Sequence, residues 1–123
     1  MTKKAIKLSE IRRAGPYSHA VMTQDIVFVS GQGGITGGSD NTFERQFERA
    51  LSNVKKILAG CNLSFDNICK MTVYLSDRKY FASMNELFGR YFPEDPPART
   101  TIISGFVHEK MLVEIDAIAT LSA

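Results

Sequence analysis

Between Cys69 and Ser76 apolar and polar residues alternate, with Cys69, Met71, Val73 and Leu75 on one side and Lys70, Thr72, Tyr74 and Ser76 on the other. That period of two predicts a strand with one buried face. Weaker strand signals cover Ala5 to Leu8 and Ser18 to Thr23, and a further strand, Ile26 to Ser30, opens on a run of four apolar residues that predicts burial on both faces. Gln24-Asp25 reads as the hairpin turn between the last two. Ala98 to Phe106 and Leu112 to Leu121 complete the strands, joined by the polar turn His108-Glu109-Lys110. Helical spacing occurs twice. Phe43, Phe47, Ala50, Leu51, Val54, Ile57 and Leu58 follow Asn41 and Glu44, whose spacing suits a capping box, and Gly60 ends that helix. Phe81, Met84, Leu87, Phe88 and Tyr91 follow a possible cap at Asp77, and this second helix must stop by Pro93, since the residue before proline is pushed out of helical geometry.

The order β-β-β-α-β-α-β-β predicts an α+β domain of two layers, a six-stranded mixed sheet with both helices on one face. The other face is left over. Ile103, Tyr74 and Ile118 fall on the same strand faces as Arg99, Lys70 and Glu114, so that face is not cleanly polar and a partner subunit is expected to cover part of it.

Composition narrows the function. A chain of 123 residues, 44% hydrophobic and 23% charged, is ordinary globular material with a core large enough to need no staples. Fifteen Lys+Arg against 13 Asp+Glu leave a net charge of +2, too little for a protein whose main task is neutralising phosphates, so nucleic acid is an unlikely partner. Cys61 and Cys69 form no Cys-x-x-Cys pair and suit a reducing compartment. No apolar run approaches the roughly 20 residues of a membrane span, and the basic start from Lys3 to Lys7 leads into Glu10, Arg12 and Arg13 rather than an apolar stretch. A cytoplasmic protein is expected.

The chemistry-bearing candidates are few. Gly31-Gln32-Gly33-Gly34-Ile35-Thr36-Gly37-Gly38 fits neither phosphate-binding pattern, because no Lys-Ser/Thr follows and Thr36 stands where a third glycine is needed, so it reads as a flexible loop. His19 and His108 have no ligand-spaced neighbours, which argues against a metal site and against a zinc deaminase. No Gly-x-Ser-x-Gly elbow is present. Arg99 sits at the mouth of a strand of small, β-branched or apolar residues, and Glu114 and Asp116 share one face of the last strand. A solvated sheet face would explain all three. Covered by a neighbouring subunit, the arginine becomes a planar fork for a carboxylate and a glutamate becomes a candidate base. Gly15-Pro16-Tyr17-Ser18 is either a plain turn with Tyr17 stapled to the core or part of the same cleft.

Taken in order, Gly15-Pro16-Tyr17-Ser18, Val29-Ser30-Gly31-Gln32, Asn53-Val54, Met84-Asn85, Pro97-Ala98-Arg99-Thr100 and the stretch from Val113 to Ala119 resemble the RidA/YjgF reactive intermediate deaminase family over essentially the whole chain. The resemblance implies one RidA-like domain over residues 1–123 with a chorismate-mutase-like fold, assembled as a homotrimer around a central barrel with ligand clefts between subunits. It implies hydrolysis of 2-imino acids, such as 2-iminobutanoate and 2-iminopropanoate, to 2-keto acids and ammonia, with no cofactor and no metal. By matched position, Arg99 would bind the substrate carboxylate and Glu114 would hold the attacking water. Tyr17 would wall the pocket, Ser30 and Gly31 would line it, and Asn85 would support it. Thr101 stands where the family often has cysteine, leaving its backbone to meet the ligand. Some members resemble ribonucleases or translation inhibitors, and a small-carboxylate sensor could use the same cleft.

Overall fold

The computed structural model describes residues 3–122. Six strands, β1 (Lys4–Ile6), β2 (Ala20–Met22), β3 (Ile26–Gly33), β4 (Ile68–Leu75), β5 (Ala98–Ile103) and β6 (Val113–Thr120), form one mixed sheet in the order β1-β2-β3-β6-β4-β5. Only the β4–β5 pair is parallel; the other neighbours are antiparallel. Two helices, α1 (Phe43–Gly60) and α2 (Phe81–Tyr91), cover one face.

The apolar stripe of α1 explains its place. Phe47, Leu51, Val54, Ile57 and Leu58 are fully buried against Val27, Met71, Val73 and Ile115, and each contributes roughly 2 kcal/mol by leaving water. The cap is Thr42, whose hydroxyl accepts from the Arg45 amide, and not Asn41. The helix does end at Gly60, but the left-handed residue is Asn62, at φ 61°, while the amides of Cys61 and Leu63 return to the Leu58 carbonyl. Asp77 caps a short 3₁₀ turn, Arg78–Tyr80, that leads into α2.

Two strand readings are corrected. Within the apolar run of β3, Val27 and Val29 face the helices, and Ile26 and Phe28 stand 39% and 46% exposed on the opposite side. The apolar run therefore marks a sheet with two apolar faces, one of them uncovered by this chain. In β4 the buried set is Ile68, Met71, Val73 and Leu75, with Cys69 exposed, because a register irregularity against β6 between Ile68 and Lys70 shifts the alternation by one. β3 also runs on through Gly31 and Gly33, so the glycine cluster begins inside the sheet, and β5 stops at Ile103.

Candidate functional site

β5 is an edge strand, and its register with β4 sets Arg99 opposite Met71 and Thr101 opposite Val73, which places both on the helix-covered side. The Arg99 guanidinium lies 4.9 Å from the centroid of the Phe88 ring and 6.0 Å from that of Phe81. Among the described residues it has no hydrogen-bond or ion-pair partner. Burial alone lowers its pKa from the usual arginine value, which leaves it charged. The Thr101 hydroxyl points at Met84 Sδ, 3.9 Å away. Asn85, exposed on α2, shares a helix stripe with Phe81 and Phe88 at spacings of four and three. Arg99 therefore rests on an aromatic shelf of α2, with Thr101 against Met84 of the same helix and Asn85 on the stripe between the two rings.

Glu114 stands elsewhere. It pairs with Tyr74 on β4 and with Gly33 on β3, so its side chain projects from the face the helices leave open. Its carboxylate lies across Gly31: a methyl group placed there would stand 2.3 Å from Glu114 Oε2. Among the described residues the carboxylate accepts no hydrogen bond. Burial, and then the charge of Asp116, raise its pKa above the usual glutamate value. Asp116 itself accepts a 2.9 Å hydrogen bond from the Tyr74 hydroxyl, which raises the Tyr74 pKa in turn. Near the same end of β3 the Ser30 hydroxyl donates to the Ser18 carbonyl at 2.7 Å. Tyr17 is 40% exposed, and its hydroxyl accepts from the Ala14 amide at 3.1 Å instead of stapling to the core.

The candidates thus form two groups, Glu114 and Gly31 on the open face of the sheet, with Ser30 next to them and bonded to Ser18 beside Tyr17, and Arg99, Thr101 and Asn85 on the helix-covered side. The reading that set Arg99 on the leftover face with Glu114 is corrected by the β4–β5 register. The loop reading of the glycine cluster is narrowed, since Gly31 and Gly33 lie in β3 and the loop begins at Gly34. Gly34 is packed against the Gln46 carbonyl, and the Asn41 side chain accepts from the Thr36 amide at 2.8 Å and donates to the Thr36 and Gly38 carbonyls at 2.9 Å. Two features escaped the sequence reading, the Phe81–Phe88 shelf and the Tyr74–Asp116 bond. Both need cross-element geometry, although aromatics at i and i+7 of α2 are a usable signal for the first. Among the described residues no group of three His, Cys, Asp or Glu side chains could hold a metal ion, and no helix is long and apolar enough to cross a membrane.

Residues 7–121 match the family model described as Endoribonuclease L-PSP. The chain is 37% identical to the protein DfrA of Myxococcus xanthus over 97% of this chain and 96% of the relative. It is 35% identical to Reactive Intermediate Deaminase A, chloroplastic, of Arabidopsis thaliana over 87% of this chain and 59% of that protein. Among solved structures, E. coli TdcF with bound serine superposes with a TM-score of 0.87 at 32% identity, covering 97% of this chain and 99% of that one.

Proposed function

The chain belongs to the RidA/YjgF family, the one that the Endoribonuclease L-PSP model describes, and from that membership and the geometry of its site we propose that it hydrolyses 2-imino acids to 2-keto acids and ammonia. The observation that carries the reading is the Arg99 guanidinium, half-buried on an aromatic shelf with its donors unused. A fork of that kind, desolvated and unpaired, suits a carboxylate ligand. Serine bound to TdcF and the deaminase activity in the Arabidopsis relative's name point to the same ligand class.

Arg99 and Glu114 leave opposite faces of the sheet, so one chain cannot present both to one small molecule. The uncovered apolar positions Ile26, Phe28 and Ile102 fit a homotrimer in which the β5 edge of one subunit meets the open face of the next. The cleft between subunits then holds Arg99, Thr101 and Asn85 on one wall and Glu114, Gly31, Ser30 and Tyr17 on the other.

The reaction needs little machinery and no cofactor. Arg99 fixes the carboxylate, and the imine carbon comes to rest beside a water held by Glu114. The water oxygen bonds to that carbon, its proton passes to Glu114, and the protonated imine nitrogen takes up the electron pair. Glu114 then returns the proton to the amine, the C–N bond breaks as the hydroxyl oxygen becomes the keto oxygen, and the hydroxyl proton passes through Glu114 to the departing ammonia, which leaves as ammonium. A carboxylate with a raised pKa is a better base for this exchange than a solvated one. The free cysteines fit a cytoplasmic setting.

The test generates 2-iminopropanoate in situ and follows keto-acid release. Acceleration over buffer is expected, whereas a wild-type rate equal to buffer overturns the reading; salt-dependent RNA binding would then move the weight to the ribonuclease class. Glu114→Gln should cut kcat by about two orders of magnitude while affinity for a 2-keto acid changes little. Unchanged turnover would remove the proposed base. The same variant should unfold at a higher temperature at neutral pH. A carboxyl whose folded pKa is raised binds its proton more tightly in the native state, so the native protein loses stability as pH rises through that pKa. The gap between variant and wild type should close as pH falls below the ordinary glutamate value.

A further inference from the structure

Gln46 is a polar residue in the apolar stripe of α1, between Phe43 and Phe47, and it is fully buried. Its side-chain amide is completely used. Nε2 donates to the Asn41 carbonyl at 2.9 Å and to the Lys110 carbonyl at 3.0 Å, and Oε1 accepts from the Leu112 amide at 2.8 Å. Toward residues 110–112 the carboxamide therefore acts as a strand backbone would, giving to one carbonyl and taking from the amide two residues on.

Those two attachments sit on the segments that frame Glu114. Residues 110–112 feed directly into β6, and the Ser76 amide holds the Leu112 carbonyl from the other side at 3.0 Å. Met111 packs onto Gly33, the residue in register with Glu114. The third bond holds Asn41, whose side chain ties down Thr36 and Gly38 in the loop that leaves β3. Gly34 in that loop is packed on the Gln46 main chain, and Arg49, one turn along α1, donates to the Gly34 carbonyl at 3.1 Å. One residue thus joins the exit of β3 to the entrance of β6, the two backbones between which the Glu114 carboxylate lies.

We propose that Gln46 is a positioning residue that holds the Glu114 carboxylate over Gly31 by fastening residues 110–112 to the loop after β3. The proposal rests on the imine-hydrolase reading for its kinetic consequence only. With Gln46→Met the shape is kept and the three bonds are lost, so the Leu112 amide and two carbonyls lose their partner. The expected result is a kcat about tenfold or more below wild type, with affinity for a 2-keto acid, which depends on Arg99 on the far face, held within about twofold. A purely structural role would lower the melting temperature without that split.

Gln46→Glu supplies a second variant. As a neutral acid it still donates one hydrogen bond and accepts from Leu112; as a carboxylate it faces two carbonyl oxygens. Its kcat relative to wild type should rise as pH falls, and the ratio for Gln46→Met should stay flat. The groups that also face Glu114 are Asp116 on its own strand and Tyr74 on β4, with only glycines on β3, and all are the same in the variants. Arg45 and Arg49, the cations beside Gln46 on α1, are held by Asp40. A folded Gln46→Met enzyme with wild-type kcat, or a Gln46→Glu ratio that does not respond to pH, overturns the proposal. Should Gln46→Met not fold, the Gln46→Glu ratio decides alone. Should wild type fail to turn over imines, titration of the Glu114 carboxyl by carbon-detected NMR decides: it should move toward the ordinary glutamate value in Gln46→Met, which lacks the three bonds at every pH, and an unmoved titration overturns the proposal independently of the function.

Discussion

Replacement of Arg99 by alanine is expected to lower kcat/KM for 2-iminopropanoate by about two to three orders of magnitude, since a charge-assisted pair of hydrogen bonds to the carboxylate is worth roughly 3–4 kcal/mol. Stability should fall only modestly. The guanidinium makes no hydrogen bond or ion pair among the described residues, and its contact with the Phe88 ring, 4.9 Å from centroid to Cζ, contributes about 1–2 kcal/mol. An Arg99→Lys enzyme should recover only part of the loss, because an ammonium cannot form the planar fork. A second measurement reads the assembly directly. Arg99→Ala and Glu114→Gln subunits, each inactive alone, are unfolded together in equal amounts and refolded. If each cleft takes Arg99 from one subunit and Glu114 from the next, about a quarter of the clefts carry both native groups and activity returns to about a quarter of wild type. No recovery would place both residues in one subunit's site and contradict the face assignment. Full retention of turnover by Arg99→Ala alone would remove the carboxylate fork from the mechanism.

That face assignment is where the sequence stopped being sufficient. Alternation in β6 and helical spacing in α1 and α2 are strong because each element has a buried side whose residues repeat, and the element order and two-layer architecture follow from them. β5 carries no such pattern. Apart from Arg99 itself, Ala98 to Ile103 is small or β-branched, so its facing depends on the rung of β4 it pairs with, and a slip of one residue would turn Arg99 to the other side. The residues of the candidate site could be named from motif resemblance, yet their division between two faces could not. Cys69 shows the same weakness, since one irregular rung moved it from the buried set to the surface. Gln46 was visible in a different sense: an amide inside an apolar stripe is a local conflict that has to be satisfied somewhere, although only the fold shows that the partners are Asn41, Lys110 and Leu112.

The glycine cluster makes the same point with the second large effect. Gly34→Ala should be strongly destabilising, because the added methyl carbon would stand 2.0 Å from the Gln46 carbonyl oxygen and 2.8 Å from Arg49 Cβ, both fixed to α1. Overpacking against helix backbone costs on the order of 3 kcal/mol, which for a chain of this length lowers the melting temperature by roughly 10 °C. Gly31→Ala presents a nearly equal approach, 2.3 Å, but to Glu114 Oε2, the end of a side chain that can rotate away. Its cost should fall on chemistry instead. The melting temperature should stay within about 2–3 °C of wild type, because the displaced carboxylate gives up no hydrogen bond among the described residues. Turnover should drop about 10- to 100-fold because the base has moved from the attacking water by an ångström or more. Calorimetry and imine kinetics on the two variants separate the roles. A Gly31→Ala enzyme with wild-type kcat would show that Glu114 works from another rotamer, and a Gly34→Ala protein with an unchanged melting temperature would show that the loop is free to lift from α1. The first residue is needed for where Glu114 points and the second for where the loop lies, and Gln46 stands between them, with its main chain against Gly34 and its side chain on the segment that leads to Glu114.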